Sequence, residues 1–293
     1  MELVILQTSD AFRYSRMLRA TSQTAIAYCE RHGFAYESFI GIKRGFRGAH
    51  AAFNRIMMLD ELVDRGYRGW ALHMDADAYV YDLDFDLRAY LADKQDRSAI
   101  MATIPGEHVP WHINSGVLFF NLGHPQGIAL IRDWKRRFMA ISDARLRELT
   151  SVWDGENDQI MLYKSLDRNE ALREPVFFED ASLFNDCEGR FIRQYLNSLE
   201  GDLARRTEAI EAAVIDIFRN ASGASASAAE EKLVGELYRA ILRRNPDPGS
   251  RGYVDLLLAK GTGAVPEIVR SLIDSPEYQG RLATEAASPT GRT

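Results

Sequence analysis

A chain of 293 residues with 46% apolar and 27% charged residues has the balance of a globular protein with a sizeable core, and it leaves room for a main domain and a smaller companion. The formal net charge of -6 and an isoelectric point near 5.6 give no basic surplus for gripping a nucleic-acid backbone. Cys29 and Cys187 are too few for a disulfide framework or a thiolate zinc site, and they suit a reducing compartment.

The opening MELVILQTSD holds an apolar run shorter than a signal-peptide core, and no later run reaches the roughly 18 apolar residues of a membrane span. The expected location is cytoplasmic, with peripheral contact to a membrane left open. Residues 3–6 predict a strand that stops at Thr8, Ser9 and Asp10, a polar trio suited to capping a helix over 14–32. A second strand over 34–42 leads to a helix over 49–65, ended by Gly66, and then to a buried strand over 70–74. A helix over 83–94, strands over 100–104 and 116–120, and a helix over 128–141 complete the pattern. Strands alternating with helices predict an α/β domain with a mostly parallel central sheet, where ligands bind beyond the carboxyl ends of the strands. Asp75 falls at such an end.

Residues 199–220 are charged and helix-favouring, and ASGASASAAE (221–230) reads as a flexible linker, because small polar residues bury too little surface to fold alone. Amphipathic stretches over 232–243, 252–260 and 265–273 predict a small all-α unit with a turn at RNPDPGS. The expected organisation is a main domain over 1–200, a helical segment and linker over 201–230, a helical domain over 231–285 and a disordered tail over 286–293.

The chemistry centres on HMDADAYVYD. Asp75 and Asp77, separated only by Ala76 after a buried strand, can both turn toward one divalent cation, and hard oxygen ligands favour magnesium or manganese. A cation held this way keeps open positions for phosphate oxygens and neutralises charge on a departing diphosphate. Acidic triplets also occur as solvated strand ends, so context decides. Asn114 and Ser115 precede Gly116, where side chains and backbone amides can approach hydroxyl groups closely. Asp158 and Gln159 begin a predicted helix, where Asn157 or Asp158 suits a cap equally well. Arg55 suits a phosphate or a sugar hydroxyl pair, and equally a solvated helix face.

In this order, WALHMDADAYVYD, HINSGVLFFNL and GENDQIMLY resemble the motifs of the GT-A glycosyltransferases, above all the retaining glycogenin-like and Golgi-type galactosyl- and mannosyltransferases, over about residues 1–200. The resemblance implies the nucleotide-diphospho-sugar transferase fold and metal-dependent transfer of a hexose from a nucleotide sugar, such as a UDP-sugar. Mn2+ or Mg2+ would be the cofactor, the acceptor a glycan, a lipid-linked glycan or a protein, and the setting polysaccharide biosynthesis. It implies Asp75 and Asp77 as metal ligands, and Thr8, Ser9, Phe12, Arg55, Ala76, Asn114, Ser115 and Gly116 beside them as donor-binding residues. It places Asp158 and Gln159 at the anomeric carbon, with retention by same-face attack; an inverting enzyme would need a carboxylate base opposite the leaving group.

LQTSDAF resembles the family's Leu-x-Thr-Asn-Asp-x-Tyr turn, with Ser9 and Phe12 in place of Asn and Tyr, which leaves the base open. The late histidine that completes the metal site in many relatives has no counterpart, and Asp180, Asn185, Asp186 or water are the oxygen donors that remain. His112 and Trp111 are candidates for lining the acceptor or sugar pocket. The C-terminal LYRAILRRNPDPGSRGY and SLIDSPEY resemble a short bacterial domain of unknown function found in secreted or glycan-related proteins. There Asp247 and Pro248 read as turn chemistry, and Tyr238, Leu242 and Tyr253 as core. Two rival classes are a non-catalytic nucleotide-sugar or glycan-binding protein of the same fold and a haloacid-dehalogenase-like phosphatase with Asp75 as nucleophile.

Overall fold

The computed structural model describes residues 1–151, 155–196 and 198–287. The chain divides into two compact units, Met1–Asp216 and Ile217–Thr293. In the first unit β1 (Leu3–Ser9), α1 (Ser15–His32), β2 (Ala35–Ile40), α2 (Asn54–Asp64), β3 (Trp70–Met74), β4 (Ala78–Val80) and α3 (Leu87–Ala92) follow in turn. They are succeeded by β5 (Ala99–Thr103), β6 (Ile113–Asn121), α4 (Pro125–Met139), α5 (Asp143–Glu148), α6 (Asp158–Arg168), α7 (Glu170–Arg173), β7 (Val176–Glu179) and β8 (Ile192–Gln194). The long α8 (Leu203–Leu242) begins in this unit, and α9 (Arg251–Lys260), α10 (Val265–Ile273) and α11 (Pro276–Ala287) belong to the second.

Six strands form one sheet in the order β2-β1-β3-β6-β5-β7. The mostly parallel sheet is present as expected: β6 alone runs against the other strands. Continuous apolar sequence puts β1 and β3 in the middle, buried along their whole length, whereas AYESFI, half polar, is exposed or half-buried along β2 at the edge. The two faces follow the period of two. Val4, Leu6, Leu118 and Phe120 turn to a core shared with Ile56 and Leu59 of α2, Trp134 and Phe138 of α4, and Leu162 and Leu166 of α6. Phe119 faces the other way, into a chain of rings through Tyr90, Phe85 and Phe191 to Tyr28 of α1. Gly33, at φ 66°, closes α1 with its amide on the Cys29 carbonyl, a left-handed position that suits glycine.

Several boundaries differ from the sequence expectation, each for a local reason. β1 runs on through Thr8 and Ser9, and of the polar trio only Asp10 shapes the turn before α1, its carboxylate accepting the amides of Phe12, Arg13 and Tyr14 at 2.7, 2.6 and 3.1 Å, while the helix itself starts at Ser15 with no side-chain cap. The 49–65 stretch splits into a 3-10 segment, Gly48–Phe53, and α2. α3 starts only at Leu87, where the Asp86 carboxylate caps the Ala89 amide at 2.9 Å. Residues 221–230, expected as a linker, are helical within α8, consistent with their alanine and glutamate content and the absence of proline. Of the expected tail, 288–293 lie outside the described residues.

The second unit has its own core of Val234, Tyr238, Leu242, Val254, Leu257 and Ile268, with Tyr253 packed against it. The Asp247 carboxylate accepts the Gly249 amide at 2.9 Å and pairs with Arg244, which also binds Glu277 at 2.6 Å. Among the described residues no helix is long and apolar enough to cross a membrane.

Candidate active site

The reversal of β6 builds the site. Because Met74 pairs with Val117 in an antiparallel register, the start of β6 meets the end of β3, and the Asp75 amide donates to the Gly116 carbonyl at 2.7 Å. Asn114 and Ser115 therefore stand beside Asp75 and Asp77 at the edge where β1 delivers Thr8 and Ser9. The loop carrying the acidic pair is pinned from below. The Gln7 amide donates to the carbonyls of Asp75 and Ala78 at 3.3 and 3.2 Å, and the Thr21 hydroxyl to that of Ala76 at 3.1 Å. α6 enters from the opposite side, its first turn capped by the Asn157 carboxamide, which accepts the Ile160 amide at 2.7 Å. The buried Trp134 indole donates to the Asp158 carbonyl at 2.9 Å and fixes that helix end.

These elements enclose a cavity of about 460 Å³. Thr8, Ser9, Arg55, Asp75, Ala76, Asp77, Asn114, Ser115, Asp158 and Gln159 all line it, so ten positions scattered from the first strand to α6 converge there. Ser115 ties two motifs together: its hydroxyl donates to Asp158 Oδ2 at 3.2 Å, and its amide to Gln159 Oε1 at 3.1 Å. Asn114 folds its Oδ1 back onto the Gly116 amide at 2.8 Å and presents its Nδ2 to Gln194 Oε1 at 3.3 Å.

Charge in the cavity is tightly arranged. Arg55, only 5% exposed, reaches Asp75 Oδ1 at 2.5 Å, the Ser115 carbonyl at 2.5 Å and the Ala52 carbonyl at 3.0 Å, with Asp158 Oδ2 at 3.4 Å from its Nε. It is a buried counter-ion to two carboxylates rather than a solvated helix arginine. The Asp75 carboxyl is held up at about 8: burial is the largest cause, Arg55 opposes it, and the neighbouring Asp77 and Asp158 add to it. Asp77 is also raised by burial, against the opposing pull of the Gln194 amide and Arg206. Burial thus weighs against the charged form of both.

Two lining residues carry no motif and were not foreseen. Gln194, at the end of β8, is set beside Ala78 by the small β4–β8 sheet, and its Nε2 lies 3.0 Å from Asp77 Oδ1 and 3.5 Å from Asp75 Oδ2. Arg206 arrives from the first turn of α8. Asp180, Asn185 and Asp186, the expected candidates for a third metal ligand, are all absent from the cavity lining. Asp180 holds the Ser182 amide, Asp186 the Glu188 amide, and Asn185 donates to the carbonyls of Asn114 and Val117. Phe12 is 91% exposed and does not line the cavity, because the three amides gathered by Asp10 turn the chain outward there; Tyr14 lines it instead. Trp111 and His112 also lie outside the lining, engaged with Asp167 and Glu107.

Gly116 contributes by what it lacks. A Cβ there would collide with the Gln194 carboxamide, so the bare backbone gives that amide its place beside the acidic pair. Gly116→Ala is expected to cost about 1 kcal/mol of stability, since the clashing atoms end a flexible side chain, and to weaken Mn2+ binding about tenfold. Urea unfolding and calorimetric titration with Mn2+ read the two effects separately.

The oxygen donors of Asp75 and Asp77 suit a hard divalent cation, which would offset the burial of their charge. Among the described residues no group of three or more His, Cys, Asp or Glu side chains could hold a metal ion, so the pair would be completed by a neutral oxygen. The Gln194 carboxamide, turned over, offers such an oxygen; which of its two ends faces the carboxylates is set by hydrogen bonding alone.

Comparison with solved structures finds a likeness to a glycosyltransferase involved in the glycosylation of the major capsid of PBCV-1, with a TM-score of 0.52 and 16% identity, covering 71% of this chain and all of that one. The fold is shared with that protein. No protein-family model matches the sequence, and no curated protein matches it. The α/β architecture with its mostly parallel sheet is therefore the expected one, recognised across a sequence distance at which only the fold carries over.

Proposed function

We propose that this protein transfers a hexose from a nucleoside-diphosphate sugar, such as a UDP-sugar, to a glycan, lipid-linked glycan or protein acceptor, with Mn2+ or Mg2+ at Asp75 and Asp77. One observation carries the reading: the acidic pair, Asn114 with Ser115, and Asp158 with Gln159, far apart in sequence, line a single cavity on a glycosyltransferase fold. A cation between the carboxylates would supply charge for the departing diphosphate. The chain's own groups do the rest. Thr8 and Ser9 at the end of β1 border the nucleoside side, Asn114 offers an amide to sugar hydroxyls, and Asp158 with Gln159 orient the sugar and stabilise positive charge at its anomeric carbon.

The reading extends to retention. Among the described residues the other lining carboxylates are Asp10, which accepts three backbone amides, and Asp158, held between Arg55 and Ser115, so neither of these stands free as a base. In same-face attack the bond from the anomeric carbon to the diphosphate breaks, the bond to the acceptor oxygen forms on that face, and the acceptor proton passes to the departing phosphate oxygen. A panel of nucleotide sugars incubated with the protein and Mn2+ is expected to show hydrolysis or transfer from at least one donor, with an α-donor giving an α-product by NMR. An absence of donor binding and turnover across the panel would overturn the reading; tight binding without turnover would assign the chain to the non-catalytic class.

A further inference from the structure

Arg206 is in an unusual position for an arginine. It lies in the first turn of α8, where the helix dipole favours acidic side chains, and it is only 2% exposed. A guanidinium carries five N–H donors and is costly to bury without partners. Here its contacts are sparse. Nη1 lies 3.7 Å from Asp77 Oδ2, beyond hydrogen-bond length; Nη2 reaches the Tyr14 hydroxyl at 3.3 Å; and the buried Nε has no hydrogen-bond partner among the described residues. A side chain placed for stability would use its donors; this one is held in the cavity wall with donors to spare. A local rule broken at a buried charge points to a ligand.

The charge balance indicates what kind. Around the acidic pair the carboxyl groups of Asp75, Asp77 and Asp158 outnumber the guanidiniums of Arg55 and Arg206. Arg55 is committed to Asp75 and the Ser115 carbonyl by short bonds, whereas Arg206 holds Asp77 only at long range. A divalent cation on the pair would displace the long-range contact first and add positive charge that suits an anionic diphosphate. We propose that Arg206 is the counter-ion of Asp77 in the cation-free protein and changes partner when the cation enters, turning its free donors to the diphosphate of the donor, so that cation and nucleotide bind in that order. The inference rests on the transferase reading above. It makes Arg206 a rival of the cation and an ally of the nucleotide, two roles of opposite sign.

That opposition supplies the test. In calorimetric titration of the full chain with Mn2+ alone, Arg206→Gln is expected to bind about threefold more tightly than the wild type, because a competing charge is gone. In titration with ADP, GDP and UDP at saturating Mn2+, the same variant is expected to lose about tenfold in affinity for whichever nucleotide the wild type binds. A merely structural arginine would lower the melting temperature and weaken both ligands together, and that result overturns the proposal, as does nucleotide affinity unchanged in the variant. If Arg206→Gln does not fold, Arg206→Lys keeps the charge but loses the fork, and nucleotide binding weakened severalfold with Mn2+ binding unchanged is then the expected result; equal nucleotide affinity overturns it. A wild-type protein that binds none of the three nucleotides with Mn2+ would instead sink the transferase reading itself.

Discussion

Asp75→Asn is expected to reduce sugar transfer about a thousandfold and Mn2+ affinity at least about a hundredfold, while the protein becomes more stable at neutral pH. The first two effects follow from removing one of the two adjacent lining carboxylates, Asp75 and Asp77, that would hold the cation. The gain in stability follows from the sign of the shift. A carboxyl group whose folded-state pKa lies above its unfolded value favours folding below the unfolded value and costs stability as pH rises through the interval. For Asp75 that interval runs from the ordinary 3.8 to about 8, because burial, Asp77 and Asp158 together outweigh the attraction of Arg55. Asparagine keeps the shape and can still accept from Arg55 without the charge. Melting curves of the variant and the wild type should therefore separate in favour of the variant at pH 7 and converge toward pH 4. A variant less stable at pH 7 would show that the Arg55 pairing dominates instead. Equal transfer rates would remove Asp75 from the chemistry altogether.

Which parts of this arrangement could be read from sequence depends on how local their causes are. β1, β3, β5 and β6 are compact apolar runs that must be buried on both faces, and each was visible as such. The three-residue β4 and β8 were not, since their pairing of Ala78 with Gln194 joins segments far apart in the chain and leaves no periodic trace. The same non-locality hid Gln194, which becomes a site residue only through that pairing. Phe12 shows the opposite: similarity to a known turn placed it near the base, whereas the neighbouring Asp10 gathers three amides and the ring stands outside the cavity lining. Asn114, Ser115, Asp158 and Gln159 were legible because short motifs encode them, although their mutual bonds through Ser115 depend on the reversed β6. Arg206 did leave a sign, a basic residue in the first turn of a helix, which runs against the dipole.

Arg55→Met is expected to destabilise the protein by about 3–5 kcal/mol, the cost of stranding buried carboxylates after their partner is removed. The side chain is 5% exposed and satisfies Asp75, the Ser115 carbonyl and the Ala52 carbonyl, with Asp158 at 3.4 Å. Methionine fills much of the volume but answers none of these groups, which leaves Asp158 and the Ser115 and Ala52 carbonyls without their donor. The fall in melting temperature should be on the order of 10 °C, given roughly 2–4 °C per kcal/mol for a unit of this size. The loss should grow as pH rises through about 8, where Asp75 ionises in the wild type with Arg55 beside it but has no such partner in the variant. Arg16→Ala is the natural comparison. Its bidentate pair with Glu211, at 2.8 and 2.7 Å, lies at the surface, where water and salt screen such pairs and little stability is lost with them. Urea unfolding of both variants separates the two cases: a loss at Arg55 no larger than at Arg16 would mean that water reaches the cluster and that the cavity charges are already screened.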